Sequence, residues 1–488
     1  MVQLYKPGDS VVCPWNTSNV YCVSHNGTII ASDDLAKLLA ALAERGVHPA
    51  LSPLALSHLL HHSVIPYPLA LYEGMTALGQ GDEAEIDTDG SLRVVVRRPI
   101  PLRLPPAPDV IESANPKRLR DLLVAAVVGR FVDGRGLLML SSGKDSTALA
   151  LALDAAGYNR RVECVTYQEG AHGEGEFAAA TAARFGLRHR IVYECKDRAE
   201  VRTSMQAFFE ASPSPSMDPI TPGYVHSIRT VGLPPGAALI DGTGNDAYMG
   251  IIPPKRKWLA DLLSFGRFDG LAPLNRVFSY HHRLAKLFRS RADQVVLDRF
   301  ALRFEETSGF FQGSLRTLPY WNSLGRTASL AKSYYEFFHH FRSVYYDNAH
   351  TIRARETIAA AFNLHLMLPY QDNSLINYCL SLPESERFDV STGRNKLPLR
   401  RMLYDELGYN AERVGKRIFN FSRRNFLAQN WAHVEEEIYE CTLWDRCAIA
   451  RFLDRMLPLV NSDDKCNYGI MQLYLVSGWH NHTRWLKR

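Results

Sequence analysis

The sequence predicts an α/β protein: a parallel-sheet domain with a large helical C-terminal part, preceded by a small α+β domain. Three observations carry that prediction. Strand-like and helix-like segments alternate from Gly136 to Phe185 at a spacing that implies βαβ units. Five prolines fall among the eleven residues from Arg98 to Pro108, which forbids regular structure and reads as a linker. From about Lys255 onward the pattern becomes mostly helical, with aromatic-rich runs such as Ser333 to Phe341 whose helical spacing suits a core.

The expected divisions are therefore 1–97, a linker at 98–114 and a main domain at 115–488. In the first unit, Ser32-Asp-Asp introduces a helix to about Arg45, and Ser91 to Arg97 alternates as a strand. After the linker, Asn115-Pro-Lys opens an amphipathic helix running to about Phe131. Gly136 to Leu140 is a short apolar run that suits a buried strand. Ser146 to Ala156 reads as a helix, Arg161 to Tyr167 as a second strand, and Glu174 to Phe185 as a second helix.

Composition bounds the function. The 488 residues are 46% hydrophobic and 22% charged, ordinary values for a chain that builds a sizeable core. The net charge of +5 arises from 56 basic and 51 acidic residues without a block of like charge, so neither nucleic acid nor an anionic membrane is expected as a partner. Eight scattered cysteines contain no CxxC pair, which argues against a zinc site and a disulfide framework. The start, MVQLYKPGDS, has no apolar signal core, and the apolar stretch from Leu137 to Ala156 is interrupted by Lys144 and Asp145. A reduced, soluble, cytoplasmic protein is expected.

The most informative segment is Leu137 to Thr147, LLMLSSGKDST, in which a strand enters a small-residue turn and then directly a helix. Ser141, Ser142 and Gly143 let backbone N–H groups approach a phosphate closely, and the helix presents its positive end there. Ser146 can add a hydroxyl. Asp145 would repel a bare phosphate, but makes sense as a ligand for Mg2+. The alternative is a plain strand-to-helix turn with Asp145 as a cap. The Walker A spacing is absent.

This loop resembles the SGGxDS loop of the PP-loop ATP pyrophosphatases, of the adenine nucleotide alpha hydrolase-like fold, with Ser142 where that family usually has glycine. Four further segments narrow the resemblance to the asparagine synthetase-like branch. Leu239 to Gly250, LIDGTGNDAYMG, resembles GEGxDExFGG. Leu368 to Pro383, LPYQDNSLINYCLSLP, is similar to PFLDxxLVEFALSLP. Gly393 to Arg401, GRNKLPLRR, is similar to the K-x-x-LR segment, and Arg413 to Ser422, RVGKRIFNFS, resembles RxKxxF. The resemblance implies ATP-dependent, AMP- and pyrophosphate-forming ligation of a carboxylate to an amine. ATP would meet Leu140, Ser141, Ser142, Gly143, Asp145, Ser146, Thr166 and Gly242. Asp145 and Asp246 would hold Mg2+, and Lys416 would stabilise the oxyanion of acyl transfer. Glu174 matches an acidic family position after the second strand.

Two departures shape the functional expectation. Thr243 stands where asparagine synthetases carry glutamate and β-lactam synthetases tyrosine, and its hydroxyl does not ionise near neutral pH. Either the amine needs little activation or another group, such as His365, serves. The stretches Asn19 to Leu39 and Val64 to Glu85 look like the closing portion of the family's glutamine amidotransferase domain. Its cysteine nucleophile after the initiating methionine is replaced by Val2. Glutaminase activity is thus not expected from this remnant. The resemblance leaves open a specialised-metabolite or peptide ligase like β-lactam synthetases or lasso-peptide cyclases, with a precursor peptide and its processing proteins as partners. It equally leaves open ammonia-dependent amidation of a small acid or sugar acid, and an inactive nucleotide-binding partner protein.

Overall fold

The computed structural model describes residues 2–14, 19–87, 91–95, 113–131, 134–170, 175–250, 302, 304–325, 343–389, 391–414, 421–460 and 462–486. Most of the predicted linker, the aromatic run from Ser333 to Phe341, Glu174 and Lys416 lie outside the described residues.

The N-terminal part is α+β. Strands β1 (Gln3–Tyr5), β4 (Thr28–Ser32), β3 (Asn19–His25) and β5 (Met75–Gly79) form one antiparallel sheet in that order. A second antiparallel sheet is made by β2 (Ser10–Val12), β6 (Glu83–Ile86) and β7 (Leu92–Val95). Helix α1 spans Leu35–Ala43 because Asp34 caps it, accepting from the Lys37 N–H. Helix α2 spans Pro53–His62, with Ser52 as cap and proline in the first turn.

The main domain begins with α3 (Pro116–Arg130), capped by Asn115 as the sequence predicts. It is followed by β8 (Gly136–Met139), α4 (Lys144–Ala155), β9 (Val162–Gln168), α5 (Gly175–Arg184), β10 (Arg188–Tyr193), α6 (Arg198–Ala211), α7 (Thr221–Val231), β11 (Ala238–Ile240) and α8 (Asp246–Met249). A fifth strand, β12 (His365–Met367), falls in the stretch read as helical. Three residues are too few to show a period, and only pairing with β11 identifies it. The sheet order is β10-β9-β8-β11-β12, parallel throughout.

Alternation along each strand assigns the two faces. Leu137 and Met139 of β8, Val165 and Tyr167 of β9 and Leu239 of β11 enter one core. That core also holds Phe208 and Phe209 of α6, residues of the helix Asp464–His482, and Leu38 and Leu59 from the N-terminal part. Leu138, Val162, Cys164, Ala238 and Ile240 enter the other core with α3, α4 and α5. Covering both faces is what a parallel sheet requires, and it explains why β8 is apolar at every position. Among the described residues, no helix is long and apolar enough to cross a membrane.

The strand order matters for the site. After β8 the chain moves outward through β9 to β10, then returns to the other side of β8 as β11. Loops leaving β8 and β11 therefore meet beyond the carboxyl ends of these two neighbouring strands, at the topological switch point where open α/β sheets hold ligands in a crevice.

Candidate active site

Helix α4 starts at Lys144, two residues earlier than predicted, because Gly143 is its N-cap in an extended conformation. Asp145 is thus in the first turn, beside the positive helix end, and is not the cap. The turn braces itself. The Gly143 N–H donates to Ser141 Oγ at 3.1 Å, the Ser141 N–H to Ser146 Oγ at 3.1 Å, and Ser146 Oγ lies 3.2 Å from the Gly143 carbonyl. Ser142 is buried, and its carbonyl accepts from the Tyr409 hydroxyl at 2.8 Å. Thr166 does not turn its hydroxyl into the crevice: it donates to the Leu140 carbonyl at 2.7 Å and lies 2.9 Å from His189 Nε2. It can act on a nucleotide only by orienting Leu140.

The turn after β11 comes up against this loop. A Cβ on Gly242 would lie 3.4 Å from the Cβ of Asp145 and 3.6 Å from the Ser146 nitrogen, so the two backbones approach closely. Asn245 Nδ2 donates to Asp145 Oδ1 at 2.7 Å. The segment resembling PFLD fastens both turns: the Tyr370 hydroxyl donates to the Asp145 carbonyl at 2.9 Å, and Gln371 Nε2 to the Gly244 carbonyl at 3.2 Å.

Between the acids lies a residue to which the sequence reading assigned no role. Lys396 Nζ is 2.8 Å from Asp145 Oδ2, 2.8 Å from Asp246 Oδ1 and 2.6 Å from Asn245 Oδ1. It is 4% exposed and adopts the left-handed backbone region, φ 56° and ψ 44°, immediately before the helix Leu397–Leu407. A lysine held there at a cost of about 1 kcal/mol marks a position chosen for its side chain. Burial would lower its pKa, yet the two carboxylates outweigh that and hold it raised. Lys144 is the opposite case: burial pushes its ammonium down to about 8, with Lys396 and Arg400 adding repulsion against Asp145 and Asp246.

Asp145 and Asp246 thus converge, as the sequence reading supposed, and present hard oxygens to one point. Their side chains are 29% and 36% exposed, leaving room for metal-bound water. The donor set fits Mg2+.

Thr243 is fixed by Asp241, whose Oδ1 accepts from both the Thr243 N–H, at 2.8 Å, and its hydroxyl. Asp241 is buried against Arg355 Nε at 3.2 Å and the Tyr224 hydroxyl at 2.6 Å, while Arg355 also reaches Asp218 at 3.1 Å. Burial alone would raise the Asp241 pKa; Arg355 and the hydrogen bonds from Thr243 and Tyr224 instead hold it below the usual range. No local signal in the sequence links Arg355 to Asp241, whereas Lys396 at least stands in the segment resembling K-x-x-LR.

His365 is not placed to act at Thr243. It is exposed at the start of β12 opposite Ala238, while the crevice lies past the far ends of β11 and β12. Residues described on either side of the stretch containing Lys416 contact the loops after β8 and β9. Tyr409 touches the phosphate loop, and the Ser422 N–H and Asn425 Nδ2 bind the Glu169 carboxylate just after β9.

No curated protein matches the chain. The family model of asparagine synthase matches residues 118–455, more than half of the chain and every described element of the crevice. With the parallel sheet, the braced turn and the converging acids already in place, that match shows that the chain belongs to the asparagine synthase family of ATP-dependent, amide-forming synthetases.

Proposed function

We propose that this synthetase transfers AMP from ATP to a carboxylate and joins the acyl group to an amine, releasing pyrophosphate and AMP. The observation that carries the proposal is the convergence of Asp145, Asp246 and Lys396 at the amino end of α4. Mg2+ held by Asp145 and Asp246 would neutralise charge on the leaving pyrophosphate. Lys396 supplies a cation already fixed in position, and Lys144 and Arg400 add positive charge around it. The phosphate exchanges with the internal bonds of the Ser141–Ser146 turn, taking the Gly143 N–H from Ser141 Oγ. An inactive nucleotide-binding partner would have no use for a strained lysine between two acids.

Acyl transfer then needs an amine and a cation for the oxyanion. Thr243 spends its proton on Asp241, so its oxygen offers only lone pairs and can orient an incoming N–H. Asp241, paired with Arg355, is a weak base. An amine that arrives unprotonated suits this arrangement, and an amine carried by a specialised metabolite or peptide is the preferred nucleophile. Lys416 is assigned the oxyanion. The N-terminal part is read as an amidotransferase remnant without glutaminase activity: Cys13 and Cys22 are buried, and burial pushes the Cys22 thiol up to about 12.

The test is calorimetric titration of Mg·ATP into Asp145→Ala and Asp246→Ala. Binding should fall at least tenfold in each. Unchanged affinity in both variants would falsify the metal assignment.

A further inference from the structure

We infer that Cys195, Glu200 and His226 form a second metal site, for a zinc-class divalent ion, away from the two catalytic acids. The three come from separate elements: Cys195 from the loop after β10, Glu200 from the first turn of α6 and His226 from α7. One ligand atom from each lies within 4.8 Å of the other two. Zinc bonded at about 2.0–2.3 Å in a tetrahedron places its ligand atoms roughly 3.3–3.8 Å apart. The His226 Nδ1 to Glu200 Oε1 separation is already 3.8 Å. Glu200 is 56% exposed in its side chain and free to close the remaining gap.

The hydrogen bonds set the histidine for ligation. His226 Nε2 is 3.1 Å from the carbonyl oxygen of Tyr193. A carbonyl only accepts, so Nε2 carries the proton and, in the neutral ring, Nδ1 carries a lone pair. That lone pair faces the Glu200 carboxylate, which now accepts from the Cys195 thiol. A metal ion that displaces the thiol proton would be shared by all three groups. Donation of the second ring N–H to a backbone carbonyl is how metal-bound histidines are oriented. Sulfur, nitrogen and carboxylate together select zinc over Mg2+ or Ca2+.

Binding exchanges a proton for the ion: the Cys195 S–H, which now lies 3.5 Å from the Asp197 carbonyl, is lost as the Sγ–metal bond forms. Water completes the fourth position. The ion ties the end of β10 and the start of α6 to α7. These elements wall a small pocket lined by Tyr167, Cys195, His226, Phe421 and Phe426. The ion would stiffen one wall of that pocket. The site escapes spacing rules because its third ligand lies 26 residues beyond the second, on another helix.

The experiment uses the full chain, reduced, stripped with chelator and carrying Cys447→Ser, because Cys447 is exposed. Titration with Co2+ should give a near-ultraviolet thiolate charge-transfer band saturating at one equivalent and abolished by Zn2+. Cys195→Ser should remove the band, and His226→Gln should weaken Co2+ binding about tenfold or more. Circular dichroism establishes that both variants are folded. If either is not, Glu200→Gln at the exposed ligand gives the same reading through weaker Co2+ affinity. Absence of a thiolate band, or a band that survives Cys195→Ser, overturns the site.

Discussion

Replacing Lys396 by methionine removes the ammonium and keeps the bulk of the stem. Two carboxylates then face each other across the position it left, and Asn245 still donates to Asp145. Deleting one partner of a buried ion pair costs about 3–5 kcal/mol. Here Asp145 and Asp246 are about a third exposed and can recover solvent, which brings the expected loss to about 2–3 kcal/mol. Mg2+ should restore part of it by taking the place of the ammonium, so the variant gains more from Mg2+ than the parent does. The backbone offers an independent check. Lys396 sits at φ 56°, so Lys396→Gly should be about 1 kcal/mol more stable than Lys396→Ala, although glycine ordinarily destabilises. Urea unfolding in chelator and in Mg2+ reads both effects, and calorimetry reads Mg·ATP affinity, expected to fall by about a hundredfold. A methionine variant with unchanged stability in chelator and unchanged Mg·ATP affinity would refute the reasoning that the lysine is held there for its charge.

Three further outcomes are expected. Lys416→Met should leave Mg·ATP affinity nearly intact while product formation, followed by mass spectrometry, falls about a hundredfold or more; full product formation would make it a surface lysine. Purified protein should release no glutamate from glutamine, and a glutaminase signal lost on Cys13→Ser or Cys22→Ser would overturn the remnant reading. Acid should destabilise the fold through α2. Burial holds His58 down to about 3, with His61 adding repulsion, and His61 down to about 4. Both pKa values lie below the unfolded value, so the unfolded chain binds protons first. Their stability is complete above about pH 6.5 and is lost as pH falls towards 4, about 2 kcal/mol per histidine at pH 5. His61, bonded to Thr307 at 2.6 Å and Thr317 at 2.9 Å, is the one to test. Urea midpoints for His61→Gln should depend less on pH between 7 and 5 than those of the parent.

What could be read from the sequence is local. Small residues between an apolar strand and a helix specify the phosphate turn, because its shape depends on residues no more than five apart, from Ser141 to Ser146. Asn115 and Asp34 specify helix starts for the same reason. Even there, the first turn of α4 began earlier than expected, since a glycine in extended conformation can cap a helix without a side chain. The resemblance paired Asp145 with Asp246, and both carboxylates contact Lys396, but it named neither what lies between them nor what holds Thr243. Those contacts depend on the strand order. Because β11 returns beside β8, Asn245 reaches Asp145 from 100 positions away, Lys396 enters from 251, and Arg355 reaches Asp241 from 114. The same return separates His365 from the crevice, since parallel pairing places it at the opposite strand end. Spacing in sequence determines which turns and helices form; which charges face one another is decided only when the sheet brings distant turns together, because desolvation and Coulomb energy depend on separation in space.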